Sequence, residues 1–123
     1  MQIIGHNLIK FDYLNLIKNI DEIYKFDNLL FTYNEDFIKI SIKENKKFSI
    51  LAKTEEEIVL ANAMGAKFIV LENLILTKNA INLAEFYLFD SKIAIICDDL
   101  KTAILNKVDV CIFKNAIKNN FYE

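Results

Sequence analysis

The chain has 123 residues, 54% of them apolar, with 15 basic and 17 acidic side chains, which suffices for one domain (1–123) with its own core and no disulfide or metal. Every basic residue is lysine and the net charge is −2; without the forked guanidinium that grips phosphate, and without a basic stripe, neither nucleic acid nor a membrane surface is an expected partner. No apolar run approaches the roughly 20 residues of a bilayer span and Asp12 and Lys18 interrupt the amino-terminal apolar stretch, so the chain reads as cytoplasmic, with Cys97 and Cys111 as reduced core thiols.

Residues 2–4 read as a short strand followed by a turn at Gly5-His6, and 11–20 fits either helix or strand. The next apolar run, 29–33 (LLFTY), is followed by 34–45, where two patterns compete. Ile38, Ile40 and Ile42 alternate with polar residues as in a strand, whereas Asn34-Glu35-Asp36 is a helix start. The helix continues a strand–helix rhythm and is preferred. Then come 48–52 (FSILA), a helix over 54–65, 67–71 (KFIVL), a helix over about 74–89, 92–97 (KIAIIC), a short helix from Asp98 or Asp99, and 109–113 (DVCIF). In the 54–65 helix, Thr54 and Glu57 form a capping box, three glutamates occupy the first turn, and Gly65 stands where a left-handed cap belongs. Ile58, Val59, Ala61 and Ala63 are expected to face inward there, as are Ile81, Leu83, Ala84 and Leu88 of the following helix.

The five longer runs are apolar at successive positions, the mark of strands buried on both faces. The expected fold is therefore α/β, with a mainly parallel five-strand sheet and flanking helices, doubly wound in the flavodoxin or Rossmann manner. The alternative is half of a (β/α)8 barrel, whose inner face would need a cover from residues 1–28 or from a second copy. Residues 56–73 (EEIVLANAMGAKFIVLEN) also align without gaps with 98–115 (DDLKTAILNKVDVCIFKN) as a weak internal repeat.

The segment 61–73 (ANAMGAKFIVLEN) resembles the helix–turn–strand joint of phosphate-binding (β/α)8-barrel aldolases and isomerases, and 103–115 (AILNKVDVCIFKN) resembles the same joint. The likeness covers about half the chain and implies a buried strand delivering a catalytic residue at its end. The chain lacks the length of a full barrel and the glycine-rich phosphate loops of those enzymes. The whole chain is also similar to a small bacterial α/β family with no assigned function.

Parallel α/β folds place their sites at the carboxyl ends of the strands. That rule selects Asn34 and Glu35, Lys53, Glu72, Cys97 with Asp98, and Lys114. Lys53, Glu72, Asp98 and Lys114 are the candidate catalytic set, a desolvated lysine serving as Schiff-base nucleophile and a carboxylate moving protons. Structural roles compete: first-turn acids stabilise helices, and Lys114 with Glu72 would make an exposed ion pair. His6 has no partnering motif, and no dinucleotide, P-loop or metal-ligand pattern is present, so no cofactor is expected. The leading functional expectation is a non-catalytic binding or interaction module, with the chain itself (as a homodimer) or another protein as partner. A small molecule could bind at the strand carboxyl edge. A lysine-dependent lyase or aldolase and a response-regulator-like signalling domain are the alternatives.

Overall fold

The computed structural model describes residues 1–119; residues 120–123 of the expected 1–123 domain lie outside the described residues. The order of elements is β1 (Gln2–Ile4), β2 (Leu14–Leu16), a 3-10 helix (Ile20–Tyr24), β3 (Asn28–Thr32), α1 (Glu35–Lys43), β4 (Lys47–Leu51), α2 (Glu55–Ala63), β5 (Phe68–Leu71), α3 (Leu74–Tyr87), β6 (Lys92–Cys97), α4 (Leu100–Leu105), β7 (Val110–Phe113), a second 3-10 turn (Lys114–Ala116) and β8 (Ile117–Lys118). The contested segment after β3 is a helix, capped by the Asn34 side chain accepting from the Phe37 N–H at 3.1 Å.

The eight strands among the described residues join one sheet in the order β1-β7-β6-β5-β4-β3-β2-β8, and every pairing between them is parallel. Two expectations are corrected here. Among the described residues the sheet has eight strands rather than five: β1, read as a short strand, and β2, within the ambiguous 11–20, join it as well, and the two-residue β8 carries no apolar run. It is also not doubly wound. From β3 to β7 each strand lies beside its predecessor, always in the same direction, and right-handed crossovers then put every helix on one face. The half-barrel alternative describes this arrangement, with four α-helices outside.

The connectivity requires the sheet to curl. β7 is second and β8 eighth in the strand order, about 29 Å apart in a flat sheet. Only Lys114–Ala116 joins them, a link reaching about 14 Å at most. The edges must therefore approach each other, and the Asn115 side chain fastens the seam by donating to the Gly5 carbonyl at 3.0 Å.

Strand alternation sorts the core into two layers. Leu29 and Phe31, Phe48 and Ile50, Ile69 and Leu71, Ile93 and Ile95, and Cys111 pack outward under the helices. Their neighbours Leu30, Leu51, Phe68 and Val70, Ala94, and Val110 and Ile112 fill the concave interior with Ile4, Leu14, Leu16 and Ile117. Both layers are buried, so the runs look continuously apolar although only one face carries helices.

The four α-helices among the described residues end the same way. Lys46, Ala66, Phe89 and Val108 each donate a backbone N–H to the carbonyl five residues earlier, and the residues before them, Asn45, Gly65, Leu88 and Lys107, have positive φ. These are Schellman ends, only one of which uses glycine. The inward face of α2 is narrower than its sequence suggests: Ile58 and Ala61 are buried, while Val59 and Ala63 face outward. Thr77 and Ala80 are the buried residues of α3, and Leu88, expected inside, is 83% exposed. Ile81, Leu83 and Ala84, expected inside, do pack against the core, together with Leu76.

Candidate functional site

The carboxyl edge of the sheet brings the four candidates together in two pairs. Lys53 follows β4 and Glu72 follows β5, and both border a cavity of about 490 Å³ with Glu55, Asn73 and Asn79. Local structure fixes both positions. The Lys53 N–H donates to Glu57 Oε1 at 2.9 Å while Thr54 Oγ1 accepts from the Glu57 N–H at 3.2 Å, so the capping box reaches one residue further back than the usual reciprocal pair. The Asn73 side chain caps α3, accepting from the N–H groups of Ile75 and Leu76 at 2.8 and 3.0 Å. Lys53 and Glu72 are both exposed.

On the next strands Lys114 Nζ lies 3.1 Å from Asp98 Oδ1. This pair is partly solvated, with side-chain exposures of 43% and 78%, and such pairs contribute little to stability. Lys114 thus meets Asp98 rather than the expected Glu72. Glu35 accepts from the Tyr33 hydroxyl at 2.8 Å, and that bond holds the phenol above its ordinary pKa. Asn34 is a cap and His6 accepts from the Leu8 N–H at 3.1 Å, closing a turn.

Cys97 and Cys111 are free and buried, on the neighbouring strands β6 and β7. Burial raises both thiols, Cys111 to about 12, which removes the thiolate needed for nucleophilic or redox chemistry. Among the described residues no group of three or more His, Cys, Asp and Glu side chains is placed to hold a metal ion, and no helix is long and apolar enough to cross a membrane.

A second surface emerges only in three dimensions. α3 packs along α2, but between α3 and the short α4 a groove of about 780 Å³ opens, lined by Leu74, Ile75, Ile81 and Leu105 among polar Lys78, Glu85 and Lys107. Of its lining, Ile75 and Leu105 are exposed by 77% and 70%, and at the far end of α3 Phe86 and Leu88 are exposed by 78% and 83%. Phe86 and Tyr87 stack edge to face at 4.8 Å. The exposed apolar residues of α3 lie at its two ends, Leu74 and Ile75 at the start and Phe86 and Tyr87 at the finish, while Leu76, Ile81 and Leu83 pack against the core beside the buried Thr77 and Ala80.

The sequence matches no protein-family model and no curated protein.

Proposed function

We propose that this protein is a non-catalytic interaction module that docks a protein partner on the outer face of α3 and α4. One observation carries the reading: α3 presents Leu74, Ile75, Phe86, Tyr87 and Leu88, and α4 presents Ile104 and Leu105, all more than half exposed. Scattered apolar residues on a surface need no explanation, but Leu74, Ile75 and Leu105 line one groove while exposed, as a docking site does when its partner is absent. Aromatic anchors such as Phe86 and Tyr87 are also the residues that dominate binding energy at interfaces. A photo-crosslinking residue placed at Ile75, with Tyr24 on the far 3-10 helix as control, tests this in cells. The expected result is a discrete adduct, identified by mass spectrometry, that forms from position 75 and disappears when Phe86 is replaced by Glu. Equal, diffuse labelling from positions 75 and 24 overturns the reading.

A second reading, lysine chemistry on a small carbonyl compound, is favoured by one feature, the shared cavity of Lys53 and Glu72. Incubation with small keto acids and borohydride gives a covalent adduct at Lys53 if this reading is right, and none if it is wrong. Lys114 is the poorer nucleophile because its ammonium is held by Asp98. The response-regulator reading rested on a doubly wound sheet, and the sequential strand order removes that support.

A further inference from the structure

We infer that the partner of the α3 face is a second copy of this chain, bound about a two-fold axis through the middle of α3 so that the two α3 helices run antiparallel. The inference rests on the docking reading above and names its occupant.

The argument starts from the charges of α3. This 14-residue helix carries two charged side chains, Lys78 and Glu85. They stand seven residues, about two turns, apart and therefore on the same face. Both line the groove and both are exposed. Their placement is unfavourable for an isolated helix, because Glu85 sits in the last turn, where the helix carbonyls already carry partial negative charge. The other long helices follow the rule: α1 begins with Glu35 and Asp36, and α2 with Glu55, Glu56 and Glu57, whereas α3 has no acid in its first turn and no base in its last.

An antiparallel copy of the same helix resolves this. A two-fold axis near Ile81 and Asn82 sets Lys78 of each copy against Glu85 of the other, and the symmetry makes the pair twice. The same register brings Ile75 at one end of α3 against the Phe86–Leu88 end of the second copy. Ile75 and Phe86, exposed by 77% and 78%, are thereby covered, and Asn82 falls beside the axis, where a polar contact between copies is harmless. The two helix dipoles are also opposed. A parallel arrangement would set Lys78 against Lys78 and Glu85 against Glu85, and is disfavoured by the same charges.

The test is a charge exchange read by sedimentation, with far-UV circular dichroism confirming that each variant is folded. The wild type is expected to be a dimer at micromolar concentration. Lys78→Glu and Glu85→Lys, each alone, are expected to weaken it about tenfold or more, because the symmetry counts every reversed pair twice. Mixing the two variants is expected to restore the dimer as a heterodimer, since all-acidic and all-basic α3 faces then meet, and the double variant K78E/E85K is expected to dimerise as the wild type does. The mixing arm also controls for Lys107, which borders the groove near Glu85. Asn82→Cys is expected to cross-link the copies on mild oxidation. A wild type that stays monomeric at high micromolar concentration overturns the inference, as does a dimer unmoved by either single reversal. If the dimer fails while position 75 still forms a discrete adduct with another protein, the docking reading stands and only its occupant is wrong.

Discussion

Replacing Gly5 by alanine tests the closure of the curled sheet at its seam. Gly5 has φ +112, and a Cβ built there would lie 2.9 Å from Phe113 Cβ, 3.1 Å from Asn115 Oδ1 and 3.3 Å from Ala116 Cβ. Two of these atoms are fixed directly to the backbone, so the side chains cannot swing away. The cost has two parts: about 1–2 kcal/mol for holding an L-residue at positive φ, and about 1–3 kcal/mol for overpacking. Gly65 separates them, since its φ is +90 but nothing lies within 4 Å of its Cβ. Gly65→Ala should therefore show only the first part. For a chain of this size 1 kcal/mol corresponds to roughly 3–5 °C in Tm, so Gly5→Ala is expected to lower Tm by about 10–20 °C and Gly65→Ala by a few degrees. Thermal and urea unfolding followed by circular dichroism give both numbers. Equal losses at the two sites would mean that β1 does not meet the β7–β8 link as described, and would refute the seam.

Three further outcomes follow from local geometry. The buried, protonated thiols Cys97 and Cys111 should resist alkylation at mildly alkaline pH until the chain is unfolded in urea; rapid labelling of the native protein would contradict their packing. Lys107, at φ 56 in the Schellman end of α4, should gain about 0.5 kcal/mol on replacement by glycine, and a loss in the urea midpoint would contradict the assigned end. Asp99 is held below its usual carboxyl pKa by the Thr102 N–H, and Glu22 by the Lys18 N–H. A carboxyl depressed in the folded state contributes stability above its unfolded pKa and loses it as pH falls through the folded value. Asp99→Asn, which keeps the cap, should therefore flatten the acid side of the stability profile below about pH 4, and an unchanged profile would remove Asp99 as a source.

How much of this was legible in the sequence depended on whether a local rule decided it. The caps did: Thr54, Gly65, Asn34 and Asp99 behave as short-range chemistry demands. The five longer strands were equally readable. What failed was inference from burial to layer architecture. Apolar residues at successive positions say that both faces are covered, not by what, and here the second face is covered by the sheet itself. β8 escaped notice because two residues, Ile117 and Lys118, carry no periodic signal. Of the site candidates, position along the strand correctly predicted edge location, but pairing depended on strand order: Lys114 and Asp98 end neighbouring strands, whereas β5, which delivers Glu72, is separated from β7 by β6. The inward side of α3 was largely legible, since Ile81, Leu83 and Ala84 pack against the core as expected; Leu88 was misplaced because it falls in the left-handed cap, beyond the helical periodicity.

The self-filled interior also bears on where association can occur. A half-barrel with an open concave face would bury it against another half, and a second copy would then meet sheet to sheet. Here Ile4, Leu14 and Leu16 from the amino-terminal segment and Ile117 from β8 complete the inner layer, each 9% exposed or less. Phe11 packs against the same layer. The interior formed by these residues is therefore already filled, and exposed apolar side chains stand elsewhere: Leu8 in the amino-terminal segment and a larger set on the helical side. There Ile75, Phe86, Leu88 and Leu105 stand in solvent, and Lys78 and Glu85 provide the one charge pattern on α3 that an identical helix, reversed, can complete.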